Sequence, residues 1–119
     1  MAEGYVTTHV LDAGRGCPAA GMRVELWRLD GGDRRLVREV VTNADGRTDG
    51  PVIPKGEMEV GVWELVFHAG AYLDAAGVAG EEVRFLDVIP IRFGVADAGE
   101  HYHVPLLLAG YSYSTYRGS

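Results

Sequence analysis

The chain has 119 residues, 47% hydrophobic and 24% charged, with a formal net charge of −6 and a pI near 5.1. That length suits one domain spanning residues 1–119, and the hydrophobic fraction excludes a disordered chain. The acidic balance and scattered arginines exclude a basic nucleic-acid-binding face, and Cys17, standing alone, excludes an internal disulfide and a cysteine-based zinc site.

In chain order, Tyr5–Leu11 alternates as a strand, with Tyr5, Thr7, His9 and Leu11 on one face and Val6, Thr8 and Val10 on the other. Residues 12–21 form a glycine-rich loop, and Met22–Leu29 is the next strand. Asp30-Gly-Gly-Asp33 is a tight turn leading into a strand over Leu36–Thr42. Asn43-Ala-Asp-Gly46 is a strong turn, because Asn, Asp and Gly tolerate left-handed backbone angles. Prolines at 51 and 54 allow only a short strand between them.

Glu59–His68 reads as a long strand with Trp63, Leu65 and Phe67 facing one way. Ala71–Gly77 is the one helical segment, about two turns ended by glycine. Strands over Asp87–Val95, His101–Leu108 and Tyr111–Arg117 follow, separated by turns at Asp97-Ala-Gly99 and Gly110. About eight short strands and one helix predict an all-β antiparallel sandwich or barrel. No apolar run approaches a membrane span, and the N-terminus lacks the basic and apolar regions of a secretory signal. With one thiol, a reducing, cytoplasmic setting is expected.

The residues that could carry chemistry share faces opposite the core. His9 lies beside Leu11, His101 and His103 share a face with Pro105 and Leu107, and Tyr116 shares one with Ser112 and Ser114. A face mixing imidazoles, hydroxyls and apolar side chains suits a pocket or an interface. Each residue also has a plainer reading: an exposed edge histidine, a solvated Arg47 beside a hairpin, a solubilising Arg117, a sheet-packing Tyr116. His101 and His103 could together bind a metal, but zinc needs a third ligand that only His9 or His68 could supply, so no metal site is expected. There is no Gly-X-Ser-X-Gly elbow and no glycine-rich phosphate loop. A histidine–arginine–tyrosine constellation is what remains.

Three segments give the chain a resemblance to the transthyretin-related family, in its hydrolytic branch. They are Thr8-His9-Val10-Leu11-Asp12 followed by Gly16-Cys17-Pro18-Ala19, then Thr42-Asn43-Ala44-Asp45-Gly46-Arg47, then His101–Leu108 with Tyr111–Ser119. The terminal Tyr116-Arg117-Gly118-Ser119 is the most specific piece, since hormone-carrying transthyretins lack it and lack histidine at the positions of His9 and His103. One departure is Ala109-Gly110, where the family usually has Ser-Pro.

The resemblance implies a transthyretin-like sandwich of two four-stranded sheets with one short helix. It implies a homotetramer made from two edge-paired dimers, with active sites in a channel at the dimer–dimer interface. The implied activity is hydrolytic ring opening of 5-hydroxyisourate, a planar small molecule, to 2-oxo-4-hydroxy-4-carboxy-5-ureidoimidazoline in urate degradation, with no metal or organic cofactor. His9, Arg47 and His103 occupy the implied catalytic positions, and Tyr116, Arg117, Gly118 and Ser119 the substrate-binding ones. His103 or His9 would be the base, its imidazole having a reference pKa of roughly 6.5. The alternatives are a small-ligand carrier of the same fold, a non-catalytic interaction module, and a histidine metal site.

Overall fold

The alternation at the start of the chain becomes a strand whose even positions are sealed and whose odd positions stay half-buried. A computed structural model describes residues 3–118. The elements are β1 (Tyr5–Asp12), β2 (Cys17–Pro18), β3 (Arg23–Asp30), β4 (Asp33–Val41), β5 (Gly61–His68), α1 (Ala69–Ala75), β6 (Val88–Val95), β7 (His101–Leu108) and β8 (Tyr113–Thr115). They form two four-stranded sheets with strand orders β2-β1-β7-β8 and β4-β3-β5-β6. The fold is the all-β, transthyretin-like sandwich expected, with one short helix.

The core lies between the sheets. Val6, Val10, Leu106 and Leu108 from the first sheet meet Val24, Leu26, Leu65, Phe67 and Ile89 from the second. Burying each such side chain contributes roughly 1.5–3 kcal/mol. The parallel pairing of β1 with β7, in register from Tyr5↔His101 to Asp12↔Leu108, joins the two ends of the chain. Because parallel strands in register share a facing parity, the odd residues of both strands stand on one outer surface.

Several boundaries differ from the sequence expectation. The helix begins at Ala69, two residues early, and ends at Ala75. Gly70 does not break it: the Gly70 amide donates to the Asp87 carbonyl at 2.8 Å, and a Cβ at this position would collide with Asp87. The helix stops where Val78 N–H bonds the Leu73 carbonyl at 3.0 Å and Gly77 N–H the Asp74 carbonyl at 3.1 Å, with Gly77 at φ +74°. This is the left-handed glycine stop that its sequence suggested.

β4 starts at Asp33 rather than Leu36, because Gly31-Gly32 makes a two-residue hairpin and Asp30 pairs directly with Asp33. β5 starts at Gly61 rather than Glu59. The segment between the two prolines supplies a single bridge, Val6↔Ile53, instead of a strand. The fourth strand of the first sheet comes instead from the glycine-rich loop, where Cys17-Pro18 pairs with Leu11-Asp12.

The last strand is shorter than Tyr111–Arg117. Ala109 N–H bonds the Ser112 carbonyl at 2.9 Å, which puts Tyr111 and Ser112 in the turn. The ladder with β7 runs only from Leu108↔Tyr113 to Leu106↔Thr115. Its next partner on β7 is Pro105, which has no N–H to give. The register resumes at the His103↔Gly118 bridge.

Candidate functional site

The outer surface of the first sheet gathers residues from four parts of the chain. β1 supplies Thr7 and His9 and β7 supplies His101 and His103. Arg47 is bridged to His9 on the free side of β1, and Gly118 to His103 on the far side of β7. Thr7 is the direct neighbour of His103, and His9 is one pleat further along, opposite Pro105. With strands about 4.8 Å apart, two imidazoles, a guanidinium and the end of the chain come within the span of one small planar molecule.

Local sequence explains each placement. Arg47 is delivered by the turn read in the sequence: Asn43 Oδ1 accepts from the amides of Asp45 at 2.9 Å and Arg47 at 3.2 Å. Gly46 holds φ +74°, and a Cβ there would strike the Val10 carbonyl, which the turn approaches closely. Val10 N–H donates to the Gly46 carbonyl at 2.7 Å and ties the turn to β1. Gly118 donates to the His103 carbonyl at 2.8 Å, and a Cβ on it would lie 2.5 Å from His103 Cδ2. The chain end therefore packs directly on the imidazole, a contact only glycine permits.

His103 sits in a biased electrostatic environment. Burial above all, then the charges of Arg47, His101 and His9, hold its pKa below the ordinary imidazole value, while a hydrogen bond to the Thr7 backbone pushes the other way. Its Nδ1 lies 2.8 Å from Thr7 Oγ1, which leaves Nε2 as the nitrogen available for proton transfer. An unprotonated, partly desolvated imidazole beside a guanidinium can accept a proton from water while the arginine stabilises an anion.

The remaining expected site residues divide. Continuing the β7–β8 register puts Tyr116 opposite Pro105 on the histidine face and Arg117 opposite Val104 on the inner face. The Arg117 guanidinium lies 4.0 Å from the centre of the Tyr102 ring and pairs with Glu100 at 2.9 Å. Its Nη2 also donates to the His101 carbonyl at 3.2 Å. Tyr116 and Arg117 help line a cavity of about 420 Å³ with Phe93, Tyr102 and Val104, at the open side of the sandwich between β6 and β8. The side chain of Arg117 is thus turned to the sheet edge, not to the histidines. Ser119 lies outside the described residues.

Among the described residues no group of three or more His, Cys, Asp or Glu is set out to hold a metal. His68, the other possible third ligand, is on the second sheet, 3.2 Å from Glu25 Oε2. No helix among the described residues is long and apolar enough to cross a membrane. Sequence reading passed over Thr7, whose hydroxyl touches both His101 and His103. The available sign was parity: Thr7 shares its face with His9.

The model of the HIUase/Transthyretin family matches residues 6–118. The chain is 55% identical, over 98% of its own length and 98% of the relative's, to 5-hydroxyisourate hydrolase 2 of Rhizobium meliloti. It is similar to the crystal structure of (S)-allantoin synthase at TM-score 0.94 and 49% identity, covering 99% of this chain but only 44% of that one. It is also similar to Klebsiella pneumoniae 5-hydroxyisourate hydrolase at TM-score 0.79 and 31% identity, with 100% of both chains covered.

Proposed function

Because the chain belongs to the HIUase/Transthyretin family, we propose that it is an enzyme that opens the ring of 5-hydroxyisourate by hydrolysis. The observation that carries this reading is the convergence of His9, Arg47, His103 and Gly118 on one outer sheet face through two bridges. A carrier needs an apolar cleft; this face offers a depressed-pKa imidazole flanked by a guanidinium. The full-length similarity to 5-hydroxyisourate hydrolases favours the enzyme over the carrier.

In the mechanism, the Nε2 lone pair of His103 takes a proton from water, and the hydroxide formed adds to a ring amide carbonyl. Arg47 stabilises the negative charge that develops on the substrate. The C–N bond then breaks, and the departing nitrogen recovers the proton from His103 Nε2. His9, next to Arg47, orients the water or the ring. Gly118 and Tyr116 line the floor, and the family resemblance assigns substrate binding to Ser119 as well. Arg117 enters the proposal through its hold on Glu100 and the His101 carbonyl, which anchors the terminal segment. The steps call for no metal and no organic cofactor.

The assembly proposed is a homotetramer in the cytoplasm. β6 and β8 are each one of the two edge strands of their sheets, on the same open side of the sandwich, and carry unpaired backbone groups suited to edge pairing. Stacking the histidine faces of two such dimers would enclose the sites in a channel.

The direct test adds purified protein to freshly generated 5-hydroxyisourate and follows its ultraviolet absorbance. Wild type should accelerate the decay, and His9→Ala and His103→Ala should each lower kcat by at least about a hundredfold. Decay at the spontaneous rate with wild type would reject the enzyme in favour of the carrier.

A further inference from the structure

One hydroxyl stands between two imidazoles. Thr7 Oγ1 is 2.7 Å from His101 Nε2 and 2.8 Å from His103 Nδ1. The hydroxyl has a single proton and two lone pairs. It can donate to only one ring, so the other ring must present an N–H to it. The protonation patterns of His101 and His103 are therefore tied through Thr7.

Both rings are held in place. His101 lies flat on Tyr5, with centroids 4.2 Å apart and planes 11° from parallel. Gly118 packs against the carbon edge of His103. The His101 and His103 centroids are 6.2 Å apart, too far for a direct hydrogen bond between ring nitrogens so arranged but bridged by Thr7.

We propose that Thr7 is a positioning residue that sets the tautomer of His103 and, with His101, forms a proton relay. The inference rests on the hydrolase reading of this site. At rest, His103 donates Nδ1–H to Thr7 Oγ1, and Thr7 donates its own proton to His101 Nε2. His103 Nε2 is then the lone pair that a base requires. When Nε2 takes a proton from water, the Nδ1 proton passes to Thr7 Oγ1 and the Thr7 proton passes to His101 Nε2. Two N–H or O–H bonds break and two form, and the positive charge moves to His101. His103 is left neutral with Nε2–H; when the leaving nitrogen takes that proton the relay runs back, the His101 Nε2 proton passing to Thr7 Oγ1 and the Thr7 proton to His103 Nδ1. The charges of Arg47 and His9 on the other flank favour this displacement. His101 thus acquires a role although it lies outside the implied catalytic set.

The test compares Thr7→Val, which keeps the β-branched shape, with Thr7→Ser, which keeps the hydroxyl. His101→Phe keeps the stack on Tyr5 without the nitrogen. Thr7→Val should lower kcat at least about tenfold with KM within about threefold, and Thr7→Ser should recover to within about threefold of wild type. His101→Phe should lower kcat, and the double variant Thr7→Val/His101→Phe should be no slower than Thr7→Val alone, since the two act in series. Nitrogen-15 NMR should show His103 mainly as Nδ1–H in wild type and shifted toward Nε2–H in Thr7→Val. An unchanged tautomer in Thr7→Val, or turnover within about twofold of wild type, overturns the proposal. Should wild type fail to accelerate substrate decay, the hydrolase reading falls, while the tautomer measurement still decides the assignment of Thr7.

Discussion

His103 is under two opposed influences. Burial and the charges of Arg47, His101 and His9 favour its neutral form, and a hydrogen bond to the Thr7 backbone favours the cation. The former win, so the folded value lies below the unfolded one of roughly 6.5. The unfolded chain then takes up the proton first. The associated stability is complete above about pH 6.5 and is lost as pH falls through the folded value. Removing one of those charges should be readable at the ring: Arg47→Gln should raise the NMR titration midpoint of His103 toward about 6.5. An unmoved midpoint would show that the Arg47 charge does not act on the ring. At the neighbouring position, Gly118→Ala should displace the His103 ring, since the added methyl would sit 2.5 Å from Cδ2. A loss of kcat of at least about tenfold is expected, with thermal stability changed by less than about 0.5 kcal/mol. A variant as active as wild type would show that the terminus yields and that the packing is not tight in solution.

At the scale of elements, the single helix serves β1. Tyr72 on α1 donates its hydroxyl to Asp12 Oδ2 at 2.8 Å, at the very end of the strand that carries Thr7 and His9. Asp12 is almost wholly buried, and its Oδ1 also receives the Arg15 amide at 3.0 Å. Burial first, and the Asp12 hydrogen bond second, push the Tyr72 phenol up to about 12. Tyr72→Phe would leave a buried carboxylate oxygen without its donor, at a cost of roughly 1–3 kcal/mol. Calorimetry should record a fall in Tm of at least about 4 °C. A Tm equal to wild type would show that water replaces the phenol and that the helix does not brace β1.

For the whole molecule, the outer face of the first sheet holds half-buried Tyr5, Leu11 and Leu107 around the histidines, and β6 and β8 are edge strands, as are β2 and β4. The proposed assembly predicts a sedimentation mass of four times the 12.8 kDa chain. A monomer that still turns over substrate would remove the shared channel while leaving the chemistry within one subunit.

The amino-acid order alone determined the faces. Period-2 alternation separated Val6 and Val10 from Thr7 and His9, and Asn43-Ala-Asp-Gly46 marked the turn that delivers Arg47, because these are local properties of side-chain direction and backbone angle. Local rules could not reveal that Gly70 belongs inside a helix, since the reason is Asp87 packed against it. Nor could they reveal that the last ladder stops at Thr115, since the reason is Pro105 on the facing strand. The same limit hid Thr7 and turned Arg117 toward Glu100 and Tyr102. Which side chain meets which across strands nearly a chain length apart is decided by register, and register exists only once the two sheets have closed on their common core.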